Sequence, residues 1–191
     1  MPDYLTDQLA IADLMTKWMY RDNGQWDELM TLFHPAGTIE VTWFEGPFAD
    51  FVEGSKRMGR SDLKTKHFVG SPVTTFNGNK AVAETNAAII ADNPRLNLGC
   101  VVHNRFFDLL EKYQGEWKIF KRQSVYDTGY FTFSGLPGEI EGAVAEKYPR
   151  EYAPLAYVLE KGGFPVKRLF ATKGSGLEKE MREKAEVWLK S

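Results

Sequence analysis

Cysteine is almost missing from this chain: Cys100 is the only one among 191 residues. An internal disulfide is therefore impossible, and multi-cysteine zinc or iron–sulfur sites are excluded. Histidine is nearly as scarce, with only His34, His67 and His103, and they form no paired-histidine metal motif. Charge of one sign is lacking too. The 24 Lys and Arg face 26 Asp and Glu, for a formal net charge of −2, whereas a sequence-independent nucleic-acid binder needs a basic surplus. No apolar run reaches the roughly 18 residues of a membrane helix. The start, Met1-Pro2-Asp3-Tyr4, has neither a basic cap nor an apolar signal region, so the expected location is cytoplasmic, without nucleic-acid or membrane partners. Glycine-rich phosphate loops and nucleophile elbows are absent. Ser61-Asp62-Leu63-Lys64 fits a Ser-x-x-Lys pattern, but nothing around it supports that chemistry.

What is present is a globular balance, 43% hydrophobic, 14% aromatic and 26% charged, enough to fill a core. Leu5, Leu9, Ala12, Leu14, Met15, Trp18 and Met19 recur at helical spacing and predict a helix over 5–20 that stops at Asp22-Asn23-Gly24. A short helix follows from Trp26 to Phe33, broken by a loop at His34-Pro35-Ala36-Gly37. Thr38 to Phe44 reads as a strand, and 48–58 as a helix. Four runs then alternate like strands, at 67–76, 80–91, 98–111 and 116–133. Tight turns such as Asn77-Gly78-Asn79 join them into an antiparallel meander. Helices first and strands later predict an α+β fold. From Ser134 a linker, Gly135-Leu136-Pro137-Gly138, leads to helical pieces near 139–147 and 150–161 and an amphipathic helix over 177–190. The expected division is one domain over 1–133 and a helical C-terminal extension over 134–191.

Read from the residues alone, His67 and His103 in strands are more often satisfied core groups than functional ones. His34, before Pro35, reads as structural or exposed. Asp22 closes a helix, where a carboxylate opposes the negative helix end, yet a local Asp-Asn-Gly turn explains it without chemistry. Lys17 lies about one and a half helical turns earlier, so the two need not share a face.

The order of elements, with Asp22-x-x-x-Trp26-Asp27-x-Leu29, Thr38-Ile39-Glu40-Val41-Thr42-Trp43, Thr65-Lys66-His67-Phe68-Val69-Gly70 and Gly115-Glu116-Trp117-Lys118, resembles the SnoaL-like branch of the NTF2-like superfamily. Scytalone dehydratase and the hexachlorocyclohexane dehydrochlorinases are the relatives it is most similar to. The resemblance covers about residues 5–133. It implies a cone: a curved antiparallel sheet around a pocket closed by the N-terminal helices, with the C-terminal extension covering the pocket or a subunit interface. It also implies a catalytic dyad of Asp22 and His67. A neutral imidazole is a suitable base at pH 7, and a carboxylate on its far nitrogen fixes the tautomer and stabilises the imidazolium. Lys17, Trp43, Thr85, Asn104 and Lys121 fall on or near pocket positions of these relatives. Trp43 and Arg21 replace tyrosines of scytalone dehydratase, which suggests a different substrate. His103 replaces Asn104 on the inner face if the strand register slips by one.

The function this implies is a cofactor-independent lyase, needing no metal, that eliminates water, halide or a carbon fragment from a small apolar aromatic or cyclic substrate. A non-catalytic ligand-binding or assembly domain, or an isomerase or cyclase using the same dyad, are the competing readings. A homo-oligomer, trimer or dimer, is implied by the same relatives.

Overall fold

The computed structural model describes residues 4–133, 135 and 139–191. The linker expected over 134–138 lies, Gly135 apart, outside the described residues. The chain opens with α1 (Leu5–Thr16), α2 (Met19–Asp22) and α3 (Trp26–Met30). Strands β1 (Phe33–Val41) and β2 (Phe44–Pro47) lead into α4 (Phe48–Gly59). The long strands β3 (Lys64–Asn77), β4 (Lys80–Asn93), β5 (Leu98–Tyr113) and β6 (Glu116–Thr132) follow, and then α5 (Gly142–Ala145), α6 (Ala153–Lys161) and α7 (Gly176–Lys190).

The six strands form one sheet in the order β2-β1-β6-β5-β4-β3. Strands β3 to β6 are the expected antiparallel meander. The β5–β6 turn places Gln114 and Gly115 at φ 52° and 86°, the left-handed pair that a tight hairpin of this twist requires. Two details differ from the sequence pattern. The strand expected over 38–44 is a hairpin, because the chain turns at Thr42-Trp43 and the Thr42 N–H leaves the ladder to donate to the Tyr126 hydroxyl at 3.1 Å. His34, expected in a loop, lies in β1, which runs parallel to β6 with a register shift between Phe33 and Thr38.

Alternation along the long strands sends one set of side chains inward. On β4 these are Ala81, Ala83, Thr85, Ala87, Ile89 and Ala91, all buried. The small residues leave room for Ile11, Met15 and Trp18 of the first helical stretch and Phe48, Phe51 and Val52 of α4, which fill one end of the curved sheet. The other end is filled by α6: Leu155, Ala156, Val158 and Leu159 pack on Ile89, Cys100, Val102 and Tyr126. Gly129 permits the close approach of the segment entering α6, since a Cβ there would meet the Glu151 carbonyl at 2.8 Å. The last helix, α7, lies on the opposite face, with Met181 and Ala185 against Phe107 and Val125. The C-terminal segment thus supplies apolar surface to both faces of the sheet.

Candidate active site

The first helical stretch does not continue to Tyr20 unbroken. At Trp18, Tyr20 and Arg21 the backbone N–H groups bond to the residue three back, a tightening that rotates the following turn relative to an α-helix. Trp18 and Arg21 are thereby buried, at 2% and 7% exposure, and Asp22 is brought against β3.

The Asp22 carboxylate is held on both oxygens by a single residue. The His67 backbone N–H donates to Oδ2 at 2.6 Å, and His67 Nδ1 lies 2.7 Å from Oδ1. With the carboxylate on Nδ1, that nitrogen carries the proton and Nε2 keeps its lone pair. No protein group among the described residues is bonded to Nε2. Burial would raise the Asp22 pKa, but the hydrogen bonds and charge of His67, with the charge of Arg21, hold the carboxyl below its usual range. Burial lowers the His67 pKa, and Arg21 and Arg122 reinforce the shift against the pull of Asp22. The imidazole is therefore neutral at pH 7, the form a base requires.

His67 opens onto an interior cavity of about 40 Å³ walled by Trp18, Trp43, Phe51, Phe106, Tyr126 and, from α6, Leu155 and Leu159. That space holds up to about three waters, so a substrate must displace wall side chains. Trp43 lies on the cavity wall. Gly54 of α4 makes its position possible, because a Cβ there would meet the indole at 2.8 Å.

The other expected pocket residues divide. Asn104 and Thr85 face inward and are buried, at 1% and 0% exposure. They pair in the sheet with the cavity residues Tyr126 and Phe106 without lining the cavity themselves. Asn104 Nδ2 donates to Ser124 Oγ at 3.4 Å, while Asn104 Oδ1 and Thr85 Oγ1 have no partner among the described residues. His103 faces outward beside Tyr130, so the register places Asn104 inside. Lys17 and Lys121 are corrections. Lys17 is 43% exposed and paired with Asp13 at 2.6 Å on a regular α-helical turn, five residues before Asp22 and on a different face. Lys121 faces the opposite side of the sheet from His67, paired with Glu40 at 3.4 Å.

Two cations occupy the interior, Arg21 and Arg122; Arg122 is the more deeply buried. It is fully buried, bonded to Asp108 at 2.8 Å through both Nε and Nη2, and stacked between Trp18 and Phe106 at 4.5 and 4.2 Å. Its Nη1 has no hydrogen-bond partner among the described residues. The Trp18 indole links it to the dyad, meeting the His67 ring edge-on at 6.0 Å. Among the described residues no group of three His, Cys, Asp or Glu side chains is placed to hold a metal.

Residues 3–123 match the family described as a SnoaL-like domain. Among curated proteins, a PEP2-like protein of Fusarium vanettenii is 30% identical over 93 residues, 46% of this chain and 40% of that protein. Pea pathogenicity protein 2 of the same fungus is 26% identical over 82% of this chain and 71% of its own length. Among solved structures, a putative scytalone dehydratase from Novosphingobium aromaticivorans superposes with a TM-score of 0.58 at 17% identity, covering 70% of this chain and 91% of that one. A type 2 hexachlorocyclohexane dehydrochlorinase gives 0.57 at 16% identity, over 74% and 98%. At these identities the structures show a shared fold.

Proposed function

The chain belongs to the SnoaL-like domain family, and on that premise we propose that it is a cofactor-independent lyase acting by general base catalysis on a small cyclic or aromatic substrate. The observation that carries this reading is the dyad, a buried carboxylate bonded to Nδ1 of a histidine whose other nitrogen is unpartnered beside an apolar cavity. His67 Nε2 takes a proton from a carbon activated by a neighbouring carbonyl or aryl group. The C–H electron pair becomes the new C=C bond, and the bond to the leaving hydroxyl breaks. The imidazolium, stabilised by Asp22, returns the proton to that oxygen, and water leaves. A putative dehydratase and a dehydrochlorinase of the same fold fit lyase or isomerase chemistry of this kind.

The test is a panel of cyclic β-hydroxy ketones and hydroaromatic alcohols incubated in deuterium oxide and followed by mass spectrometry. Loss of water, abolished by His67→Gln, is the expected result. Deuterium incorporation without loss of water would make the enzyme an isomerase, and neither change across the panel would sink the reading.

A further inference from the structure

A second hollow, of about 480 Å³, lies on the far side of Asp22. It shares Arg21, Met58 and Thr65 with the cavity of His67, so only side chains separate the two. Arg21 forms most of that partition: Nη1 donates to Thr65 Oγ1, and Nη2 contacts the Met58 sulfur at 3.2 Å. Both partners are neutral. Among the described residues the one carboxylate near this guanidinium is Asp22, whose Oδ1 accepts from Nη1 at a long 3.5 Å while both its oxygens are bonded more closely to His67. A buried guanidinium is normally met by a bidentate anion, and here that place is taken by a threonine and a thioether.

Two further observations point the same way. Ser55 Oγ, on a residue 1% exposed, borders this hollow and has no hydrogen-bond partner among the described residues. Lys56, Arg60 and Lys64 stand around the opening. Lys56 is paired with Glu53 at 2.7 Å and Lys64 reaches only the Ser61 carbonyl. The last carbonyls of α4, at Arg57 and Met58, accept from the backbone of Arg60 and Ser61, which closes the negative helix end against this opening.

We propose that this hollow is a subsite for an anionic oxygen group, such as a carboxylate, sulfate or phosphate, carried by a substrate whose ring occupies the His67 cavity. Arg21 exchanges Thr65 for the anion, Ser55 donates to it, and Arg60 and Lys64 draw it in. Exchange at Arg21 also opens the partition, which joins two spaces that are separately too small or too polar for such a molecule. This rests on the reading that the His67 cavity is the reaction chamber, yet binding can be measured without turnover.

Calorimetric titration of the full chain with 2-naphthoate and with the uncharged 2-naphthamide separates the possibilities. The expected result is tighter binding of the naphthoate by about tenfold or more, the scale of a charge-assisted contact at a buried site. Arg21→Gln abolishes that preference, Ser55→Ala reduces it, and the exposed double variant Arg60→Gln with Lys64→Gln reduces it without touching the interior. If Arg21→Gln fails to fold, the other two variants decide. Equal affinity for the two ligands, or a preference that no variant changes, overturns the proposal. His67→Gln keeps the preference while losing turnover. A charge preference without turnover of any substrate therefore overturns the lyase reading alone, and turnover without a preference overturns the subsite alone.

Discussion

Strands β4, β5 and β6 carry a cluster of charges on each face, and the two clusters are finished differently. On the outer face Arg105 reaches Asp127, Glu84 and Glu178 at 2.5–2.9 Å, and Arg182 of α7 bonds both glutamates again at 2.7 and 2.8 Å. The second Glu178 oxygen accepts the Gly174 N–H at 2.7 Å. On the inner face Arg122 Nη1, Asn104 Oδ1, Thr85 Oγ1 and Trp18 Nε1 are buried without partners among the described residues. Each such atom costs about 1–3 kcal/mol of desolvation when nothing meets it. A cluster whose charges are matched fastens α7 to the sheet. One with valences to spare, around a base, is equipped to receive a ligand. The comparison teaches that proximity and charge alone do not mark a site; unfilled hydrogen-bonding capacity does.

The largest effect that would break this contrast is on turnover. His67→Gln should lower kcat/KM by about 10³-fold, within the range general bases contribute, and Asp22→Asn by a similar factor because the wrong tautomer is held. Arg105→Gln should leave turnover per folded molecule unchanged. Steady-state rates normalised to folded protein check all three. A comparable loss from Arg105→Gln would show that the outer network is not separate from the chemistry.

Next in size is stability. Arg122→Met strands Asp108, whose carboxyl burial already pushes upward, and should cost about 3–5 kcal/mol. Adding Asp108→Leu should restore most of that loss, since an apolar pair replaces a buried ion pair at little cost. Urea denaturation of the single and double variants measures it. Smaller again, Arg105→Gln should cost about 2 kcal/mol, because its carboxylates keep partial hydration and Arg182. Hydrogen exchange should then rise first in α7, with the inner strands still protected.

Asp22 and His67 were legible in the sequence because each sits in a short ordered motif, and the fold because turns and alternation mark the four long strands. Arg122 was not. Strict alternation from Trp117 and Ile119, both buried, would face Lys121 inward. Between Leu109 and Leu110 the register with β6 shifts, leaving Phe120 unpaired, and this bulge turns Arg122, Ser124 and Tyr126 in instead. Lys17 needs no irregularity, since the regular turn that pairs it with Asp13 already carries it away from the face of Met15 and Trp18. Local irregularities decide which face a side chain takes, and periodicity cannot show them.

The smallest predicted effect separates the two faces by acid. His67 is held below its ordinary value near 6.5 by burial and by Arg21 and Arg122. The unfolded chain therefore takes up a proton there before the folded one does, and stability falls as pH drops through 6.5 toward the lower folded value. Glu178 resists burial through the Gly174 N–H, Arg182 and Arg105, and its pKa is held down to about 2 from 4.5. Its contribution is present above 4.5 and lost only as pH falls from there toward 2. Asp22, also held low, adds to the inner loss only below the usual carboxylate range. Denaturation midpoints followed from pH 8 to 3 should show two limbs. His67→Gln should flatten the first and leave the second, while Glu178→Gln should flatten the second and leave the first. A single limb altered by both substitutions would mean that the faces titrate as one unit, and the distinction between a filled network and an open one would fail.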